Sequence, residues 1–496
     1  MHAPAPRPTG PARPPAPPTS EALRPDGRRA SIHTIDVKGR FIRARRVTFA
    51  VLIAIYVASP LVEIGGHPAV HLDVAARKFF LLGGTFNAQD FWIVLFIGTA
   101  LLFSLLLLTA WHGRIWCGWA CPQTVFLEAV YRPIERLVEG PRSRRLKLRG
   151  APWTLARAAR TGLKHVLYVL VSLVLSHVAL SLFLSASELA AMVREGPAQH
   201  PAAFTWSVAV TAALYFNYAW FREQLCIVLC PYGRLQSVLH DPDSIVVGYD
   251  ARRGEPRGKL VRSAALALAP GATPAPTGST ARGDCIDCRK CVYACPTGID
   301  IRHGLQMECL ACAQCADVCD EVMLKIGRAP GLIRHASTNE LEGRPHRLLR
   351  PRLWLYAGLA ALSVGGLVVA LGGRSAVDLA IVRQPGVPWV TEADRVRNQL
   401  DVHVTNKTAS PARITLTVET PVAADIRLGL TTVELPSLAD ARVPLVISVD
   451  RCRARPDLSF VLTATSSADE RHARRQSIRF IAPPHGTAER CPDDAR

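Results

Sequence analysis

Five stretches of this chain are nearly unbroken in apolar residues, near 47–66, 91–111, 163–185, 204–221 and 353–372. A helix needs about 20 apolar residues to cross a bilayer, so the pattern predicts a five-helix α transmembrane bundle. From Leu353 to Leu371 no residue is charged. The span at 204–221 is shorter and aromatic, with Trp206, Tyr215, Phe216, Tyr218, Trp220 and Phe221. Past residue 390 the blocks give way to alternation. The runs 400–404, 413–418, 443–449 and 458–463 switch between apolar and polar positions, and Asn406, Lys407, Pro421 and Pro436 mark turns between them. Period-two alternation broken by turn residues predicts an all-β antiparallel sandwich of about seven strands over 390–485.

The formal charge is +19, from 59 Lys and Arg against 40 Asp and Glu. These cations gather beside the apolar spans and no stretch reads as a nucleic-acid motif, so the charge signals topology rather than a nucleic-acid partner. Lys38, Arg40, Arg43, Arg45 and Arg46 precede the first span. Arg142, Arg144, Arg145, Lys147, Arg149, Arg157 and Arg160 lie between the second and third. The alternate loops carry only Arg77 and Lys78, and Arg194. The positive-inside rule then predicts a multi-pass protein of a bacterial cytoplasmic (inner) membrane. The N-terminus and the segments 112–162 and 222–352 fall in the cytoplasm, and everything after 372 in the periplasm. Residues 1–30 are rich in Pro, Ala and Arg without an apolar core, which predicts no cleavable signal peptide and a disordered basic cytoplasmic tail over 1–46.

Cysteine spacing supplies the chemistry. Cys285, Cys288, Cys291 and Cys295 form a comb C-x2-C-x2-C-x3-C, closed by Pro296; Cys309, Cys312, Cys315 and Cys319 repeat the spacing. This is the ligand run of a bacterial ferredoxin with two [4Fe–4S] clusters, in which the fourth cysteine of each comb serves the other cluster. The expected ligand sets are Cys285, Cys288, Cys291 and Cys319 for one cluster, and Cys309, Cys312, Cys315 and Cys295 for the other. Zinc sites favour paired arms set further apart, and disulfides need an oxidising compartment. A two-cluster, ferredoxin-like α+β module is expected at 284–335, after a linker at 252–283 that turns rich in Pro, Gly and Thr.

A second cysteine system lies in the membrane region 47–251. Cys117-Gly118-Trp119-Ala120-Cys121-Pro122 and Cys226-Ile227-Val228-Leu229-Cys230-Pro231 share a C-x3-C-P pattern, each after an even-numbered span. Proline suits the first helical position, which puts Cys121 and Cys230 at helix N-termini where a thiol pKa is lowered. Four thiols converging there could bind Cu(I), an iron–sulfur cluster or zinc, or work as redox dithiols. His112, His165 and His177 are weaker metal candidates. In the exported region, Cys452 and Cys491 are a candidate disulfide.

Taken together, these residues resemble the CcoG family, also called FixG or RdxA, membrane-bound cytochrome c oxidase accessory proteins. The resemblance runs from about residue 31 and rests on Trp116 through Val125, Glu128, Ile134 and Glu135, then Cys230-Pro231-Tyr232-Gly233-Arg234-Leu235-Gln236-Ser237. It continues through Tyr249, Asp250, Arg253-Gly254-Glu255-Pro256-Arg257-Gly258, the combs, and Gly331-Leu332-Ile333-Arg334. Arg397, Asn398 and Asn406-Lys407-Thr408 resemble the family's C-terminal immunoglobulin-like domain. The resemblance implies a cupric reductase that supplies Cu(I) for assembly of a cbb-type oxidase. On that view Cys117, Cys121, Cys226 and Cys230 are copper-handling thiols, with copper as a further metal beside the two clusters. The implied partners are a cytosolic electron donor and either oxidase subunits or a copper chaperone or transporter. Two other functions fit the same residues: a quinol-linked polyferredoxin conduit, and a non-catalytic scaffold for oxidase assembly.

Overall fold

The computed structural model describes residues 32–483, apart from 66, 75–77, 88–89, 260–281, 348, 393, 409 and 456. It divides into two compact units. One gathers the chain up to Ala58 with Gly98–Ser181 and Ala186–Leu362; the other gathers Ser59–Ile97, Leu182–Ser185 and the chain from Ser363 onward.

Among the described residues three helices are long and apolar enough to cross a membrane: Trp92–His112, Leu155–Leu180 and Pro351–Gly372. The other two expected spans are altered. In place of 47–66 there is a helix Arg40–Ala58, whose first half carries Arg40, Arg43, Arg45 and Arg46. It stops short, and Glu63–Ile64 instead pairs with His67–Pro68 as a small β-ladder. In place of 204–221 an α-helix of 15 residues, Pro201–Tyr215, widens into a π-turn at Phe216–Phe221. Arg222 then ends it with φ 54°. Hydropathy sees composition, whereas Pro201 and the left-handed Arg222 fix where this helix begins and ends.

The ferredoxin-like module is larger than the comb segment. Strand Ile245–Tyr249 pairs antiparallel with Ile333–Ser337, so residues before the linker close the module from one side. Its core joins Val37, Val247 and Tyr249 to Val292, Ile299, Ile301, Val318, Val322 and Leu332. The stretch 32–46, expected as part of a disordered tail, is ordered and packed here. Ile35 donates its backbone N–H to the Tyr293 carbonyl at 3.0 Å. The Asp317 carboxylate, inside the second comb, accepts from the backbone N–H groups of Phe41 at 3.1 Å and Ile42 at 2.8 Å. It thereby caps the helix Arg40–Ala58 from across the chain. A Cβ at Gly39 would lie 2.6 Å from the Asp317 Cβ, so only glycine fits there.

The expected linker also begins and ends in structure. Asp250 caps a short helix Ala251–Gly254. Asp284 donates its N–H to the Arg253 carbonyl at 2.9 Å, and Gly283 to Pro256 at 3.1 Å. The two ends of the insertion therefore meet, and its middle, 260–281, lies outside the described residues.

In the second unit, two antiparallel sheets form the sandwich. The five-stranded sheet runs Ala424–Leu428, Asp440–Asp450, Arg395–Asn406, Val377–Arg383, with Val390–Glu392 added beside Arg395–Asn406. The four-stranded sheet runs Thr432–Leu435, Ala412–Glu419, Ser459–Ser466, Asp469–Arg479. The fold thus starts at Val377, earlier than 390, and its short edge strands take it past seven. Burial alternates strictly along Arg395–Asn406, placing Val396, Leu400, Val402 and Val404 in one core with Leu445, Ile447 and Phe460. The two polar residues on that inward face are satisfied by backbone. Asn398 donates to the Ile481 carbonyl at 2.8 Å and accepts from the Ile481 N–H at 2.9 Å. Asn406 donates to the Ser410 and Pro436 carbonyls at 2.9 and 3.0 Å. Buried Asp90, in the same unit, pairs with Arg374 and Lys407, both at 2.9 Å. Cys452 is disulfide-bonded; Cys491, its expected partner, lies outside the described residues.

Candidate iron–sulfur and thiol sites

The two combs fold alike. Asp287 and Arg289 in the first, and Ala311 and Ala313 in the second, occupy the same two places and all have φ between 51° and 56°. None is glycine, so each sits in a left-handed conformation that costs about 1–3 kcal/mol and persists at functional sites. Such alternation turns successive backbone N–H groups toward one point, a concavity suited to an anion. Each comb then opens a helix, Lys290–Ala294 and Gln314–Lys325. The fourth cysteines differ. Cys295 ends the first short helix in extended backbone (φ −70°, ψ 124°) ahead of Pro296. Cys319 lies within the second helix, one turn after Cys315 and on its face, because Asp320 lets that helix run on.

The fold brings each fourth cysteine near thiols of the other comb. Cys319 is within electrostatic reach of Cys291, Cys288 and Cys285, and those four thiols line one cavity with Tyr249 and Arg302. Cys295 is within reach of Cys309, Cys312 and Cys315. Burial pushes the thiols of Cys291, Cys309 and Cys319 up to about 12. Buried thiols of this kind become thiolates when a metal replaces the proton, so each set fits a soft, thiolate-bound cluster. The grouping is looser than ligation: among the described residues no three His, Cys, Asp or Glu side chains stand in a metal-holding arrangement.

The two C-x3-C-P motifs face one another. Cys117 lies in the turn Ile115–Trp119 and Cys226 in the π-turn Leu225–Leu229. Cys121 and Cys230 follow in extended backbone, each the N-cap of a helix with proline at its first position. Gln123 joins the motifs by donating to the Arg222 carbonyl at 2.9 Å and accepting from Asn217 at 2.7 Å. The hydroxyls of Tyr232 and Thr109 lie 2.6 Å apart. Every one of the four thiols interacts electrostatically with the other three. The expectation that helix N-termini lower these thiols is reversed for Cys121. Burial raises it, and the N–H groups of Gln123 and Thr124 offset only part of that. Burial likewise pushes Cys117 up to about 11 and Cys226 up to about 12.

This second thiol set adjoins the second comb. A Cβ on Gly118 would clash with the Leu310 carbonyl and stand 3.1 Å from the Cys312 Cα. The Trp119 indole donates to the Ala311 carbonyl at 3.4 Å. Fully buried Arg45 donates to the Gly118 carbonyl at 2.9 Å and exerts its charge on Cys312. Arg114 donates to the Met307 carbonyl while acting electrostatically on Cys117, Cys226 and Cys309.

Two groups of residues lay beyond sequence reasoning. Arg45 counted there only as a topology charge, and Arg114 drew no notice. The larger omission is a buried ion network. Arg132 pairs with Glu128 and Glu223, and Glu135 pairs with Arg145 at 3.2 Å and with Arg222. The Tyr168 hydroxyl donates to Glu135 at 3.0 Å. Burial alone would raise Glu135, but Arg222, Arg132 and Arg145 outweigh it and hold the carboxyl down to about 2. The network reaches both combs, since Arg132 donates to the Pro296 carbonyl at 3.3 Å and Gln314 to Glu128 at 3.4 Å. The sequence names Glu128 and Glu135 only within the family resemblance and Arg145 only as a topology charge, and the i,i+4 spacing of Glu128 and Arg132 is the one local sign of a pairing. His165 hydrogen-bonds Tyr215 at 3.0 Å, and His177 bonds the Leu173 carbonyl of its own helix at 2.8 Å.

Known proteins share these features. Residues 221–338 match a 4Fe–4S dicluster domain family, residues 90–147 a 4Fe–4S binding domain family, and residues 367–483 the IG-like fold at the C-terminus of FixG. The nitrogen fixation protein FixG of Rhizobium meliloti is 32% identical over 440 residues, covering 81% of this chain and 82% of that protein. Protein RdxA of Cereibacter sphaeroides is 35% identical, covering 79% of this chain and 82% of its own length. Protein RdxB of the same organism is 34% identical at the same coverage, 79% and 82%. A crystal structure of a FixG-related protein from Vibrio parahaemolyticus aligns with 22% of this chain and 97% of its own, at 17% identity and a TM-score of 0.19.

Proposed function

The chain belongs to the FixG and RdxA family, and on that premise we propose that this iron–sulfur protein reduces Cu(II) to Cu(I) for assembly of a cbb-type cytochrome c oxidase. Cys285, Cys288, Cys291 and Cys319 hold one [4Fe–4S] cluster, and Cys309, Cys312, Cys315 and Cys295 the other. Bound there, these clusters supply one-electron transfer, which suits a one-electron copper couple whose reduced ion prefers thiolates. The chain's own residues do the positioning. Left-handed Asp287, Arg289, Ala311 and Ala313 turn backbone donors toward the thiols. Gly118, lacking a side chain, lets the second comb approach Cys117.

That contact of Gly118 with Leu310 and Cys312 carries the reading. It joins the thiols Cys117, Cys121, Cys226 and Cys230, proposed as the exit toward copper, to one comb through touching backbone. The three apolar helices and the cations of 112–162 support a chain crossing a bacterial cytoplasmic membrane, its combs on the cytoplasmic side and its Ig-like domain exported. A cytosolic reductant then feeds the combs. The exported domain is the docking element for oxidase subunits or a copper chaperone.

The test uses full-length protein, anaerobically reconstituted with iron and sulfide and reduced with dithionite. Cu(II) is added after removal of excess reductant, and Cu(I) is read with a chromogenic chelator against bleaching of the cluster absorbance. Cys312→Ser and Gly118→Leu should lose most of the Cu(I) yield, the second while keeping its iron. Equal yield from both variants and the parent sinks the assignment. Reduction of the clusters by quinol, with no transfer to copper, favours the conduit instead.

A further inference from the structure

The C-x3-C-P pattern occurs three times, not twice. Cys291 and Cys295, followed by Pro296, close the first comb with the spacing of Cys117, Cys121, Pro122 and of Cys226, Cys230, Pro231. The backbone repeats with it. The second cysteine has φ −70° and ψ 124° at Cys295, −62° and 126° at Cys121, and −66° and 113° at Cys230. Each first cysteine lies one helical turn earlier, in Lys290–Ala294, Ile115–Trp119 or Leu225–Leu229. One local unit, a cysteine in a helical turn and another in extended chain before proline, is thus used inside a ferredoxin comb and again, paired with itself, beside it.

A second observation points to a charged occupant. Arg114 is 4% exposed. Among the described residues no carboxylate pairs with it; it donates to the Met307 carbonyl, its side chain hydrogen-bonds the Cys117 thiol, and its Nε has no partner. Its guanidinium lies against Gly233 of the second motif, with Nη2 2.9 Å from where a Cβ would stand. An unpaired buried cation is costly, whereas an anionic metal–thiolate centre between the motifs would neutralise it. The match to a 4Fe–4S binding domain over residues 90–147 is also telling, because Cys117 and Cys121 are the only cysteines in that stretch.

We propose that Cys117, Cys121, Cys226 and Cys230 hold a third [4Fe–4S] cluster, two thiols from each motif, with Arg114 as its countercharge. This deepens the electron-transfer part of the proposed function and leaves the final acceptor open. It makes the thiol set a further one-electron site beside the second comb. Copper would then take its electron from that site without the four thiols being its permanent ligands.

The experiment counts iron and acid-labile sulfide in full-length protein purified anaerobically in detergent, with zinc and copper measured alongside. Three clusters of four irons predict about twelve of each per chain. Cys226→Ser with Cys230→Ser should drop both to about eight while the comb signals in the EPR spectrum of the reduced protein persist. Cys230→Ser alone, leaving three thiols, should yield a [3Fe–4S] signal on mild oxidation. About eight irons in the parent, unchanged in the double variant, overturn the third cluster and leave the two-comb reading standing. So does about one zinc or copper ion lost from the double variant with iron constant. No iron in any preparation overturns both. Should the double variant not accumulate, the parent's iron count decides alone.

Discussion

The sandwich and the comb-bearing unit bury comparable polar groups by opposite means. Inside the sandwich the core is aliphatic and aromatic, and the inward polar residues of the strand Arg395–Asn406, Asn398 and Asn406, are neutral amides bonded to backbone carbonyls and N–H groups. Inside the comb-bearing unit Arg132, Glu135, Arg145 and Glu223 are each no more than 7% exposed. They pair mainly with one another, and Arg132 and Arg145 also donate to the Pro296 and Thr34 carbonyls. A neutral amide satisfied by a strand edge serves one fold. A lattice of buried ions also fixes register, since every partner must arrive together for desolvation to be offset. The unit that sets two combs and four further thiols against one another carries the larger ion network. The sandwich builds its core by alternation, and its unit keeps a smaller buried ion trio, Asp90 with Arg374 and Lys407.

The comparison breaks most readily at the ion network. Arg222→Met strips Glu135 of a partner and leaves a buried carboxylate, for an expected loss of about 3–5 kcal/mol confined to the comb-bearing unit. Thermal unfolding followed by the iron–sulfur absorbance should shift strongly, while limited proteolysis should still find the sandwich intact. The mirror change is Leu445→Ala, which opens a cavity in the aliphatic core at a cost of about 2–5 kcal/mol. Here the sandwich should become protease-sensitive with iron content unchanged. A network that falls together with the sandwich in both variants would erase the distinction.

Acid acts on the ion network of the comb-bearing unit. The Glu135 carboxyl is held at about 2, below its ordinary 4.5. A depressed carboxylate stabilises the fold where it is ionised, so its contribution is complete above about pH 4.5 and fades as pH falls toward about 2. Cluster-free protein should show this acid loss in the comb-bearing unit, and Glu135→Gln should remove that pH dependence while lowering stability at neutral pH. The smallest effect is expected at Asp317, whose carboxylate caps the helix Arg40–Ala58. Asp317→Ala should cost about 0.5–2 kcal/mol and raise hydrogen exchange at Phe41 and Ile42, leaving the amides of the strand Arg395–Asn406 unchanged.

Much of this was written locally. The combs could be found by counting, because a cluster needs four thiols at fixed spacing. The strand pattern at 400–404 carried over into Arg395–Asn406 because a half-buried strand must alternate. The helices Trp92–His112 and Pro351–Gly372 lie where uninterrupted apolar runs put them. Elsewhere the local signal misled. Arg45 reads as a cytoplasmic charge beside a span, yet it is fully buried against Gly118. The stretch 32–46 reads as tail, yet Val37 is core. Lys407 reads as a turn residue, yet it closes on Asp90.

The sequence by itself determined the spacing of the cysteines, three of the five runs long and apolar enough to cross a bilayer, and which segment alternates as a sheet, because spacing, hydrophobic length and pleat are short-range properties. Tertiary structure decided that Gly118 admits the second comb, that Arg45 is buried against the Gly118 carbonyl, and that Arg114 reaches between two cysteine motifs. Those outcomes depend on which distant segments exclude water from one another. A charge's cost and its partner are set only once it is buried.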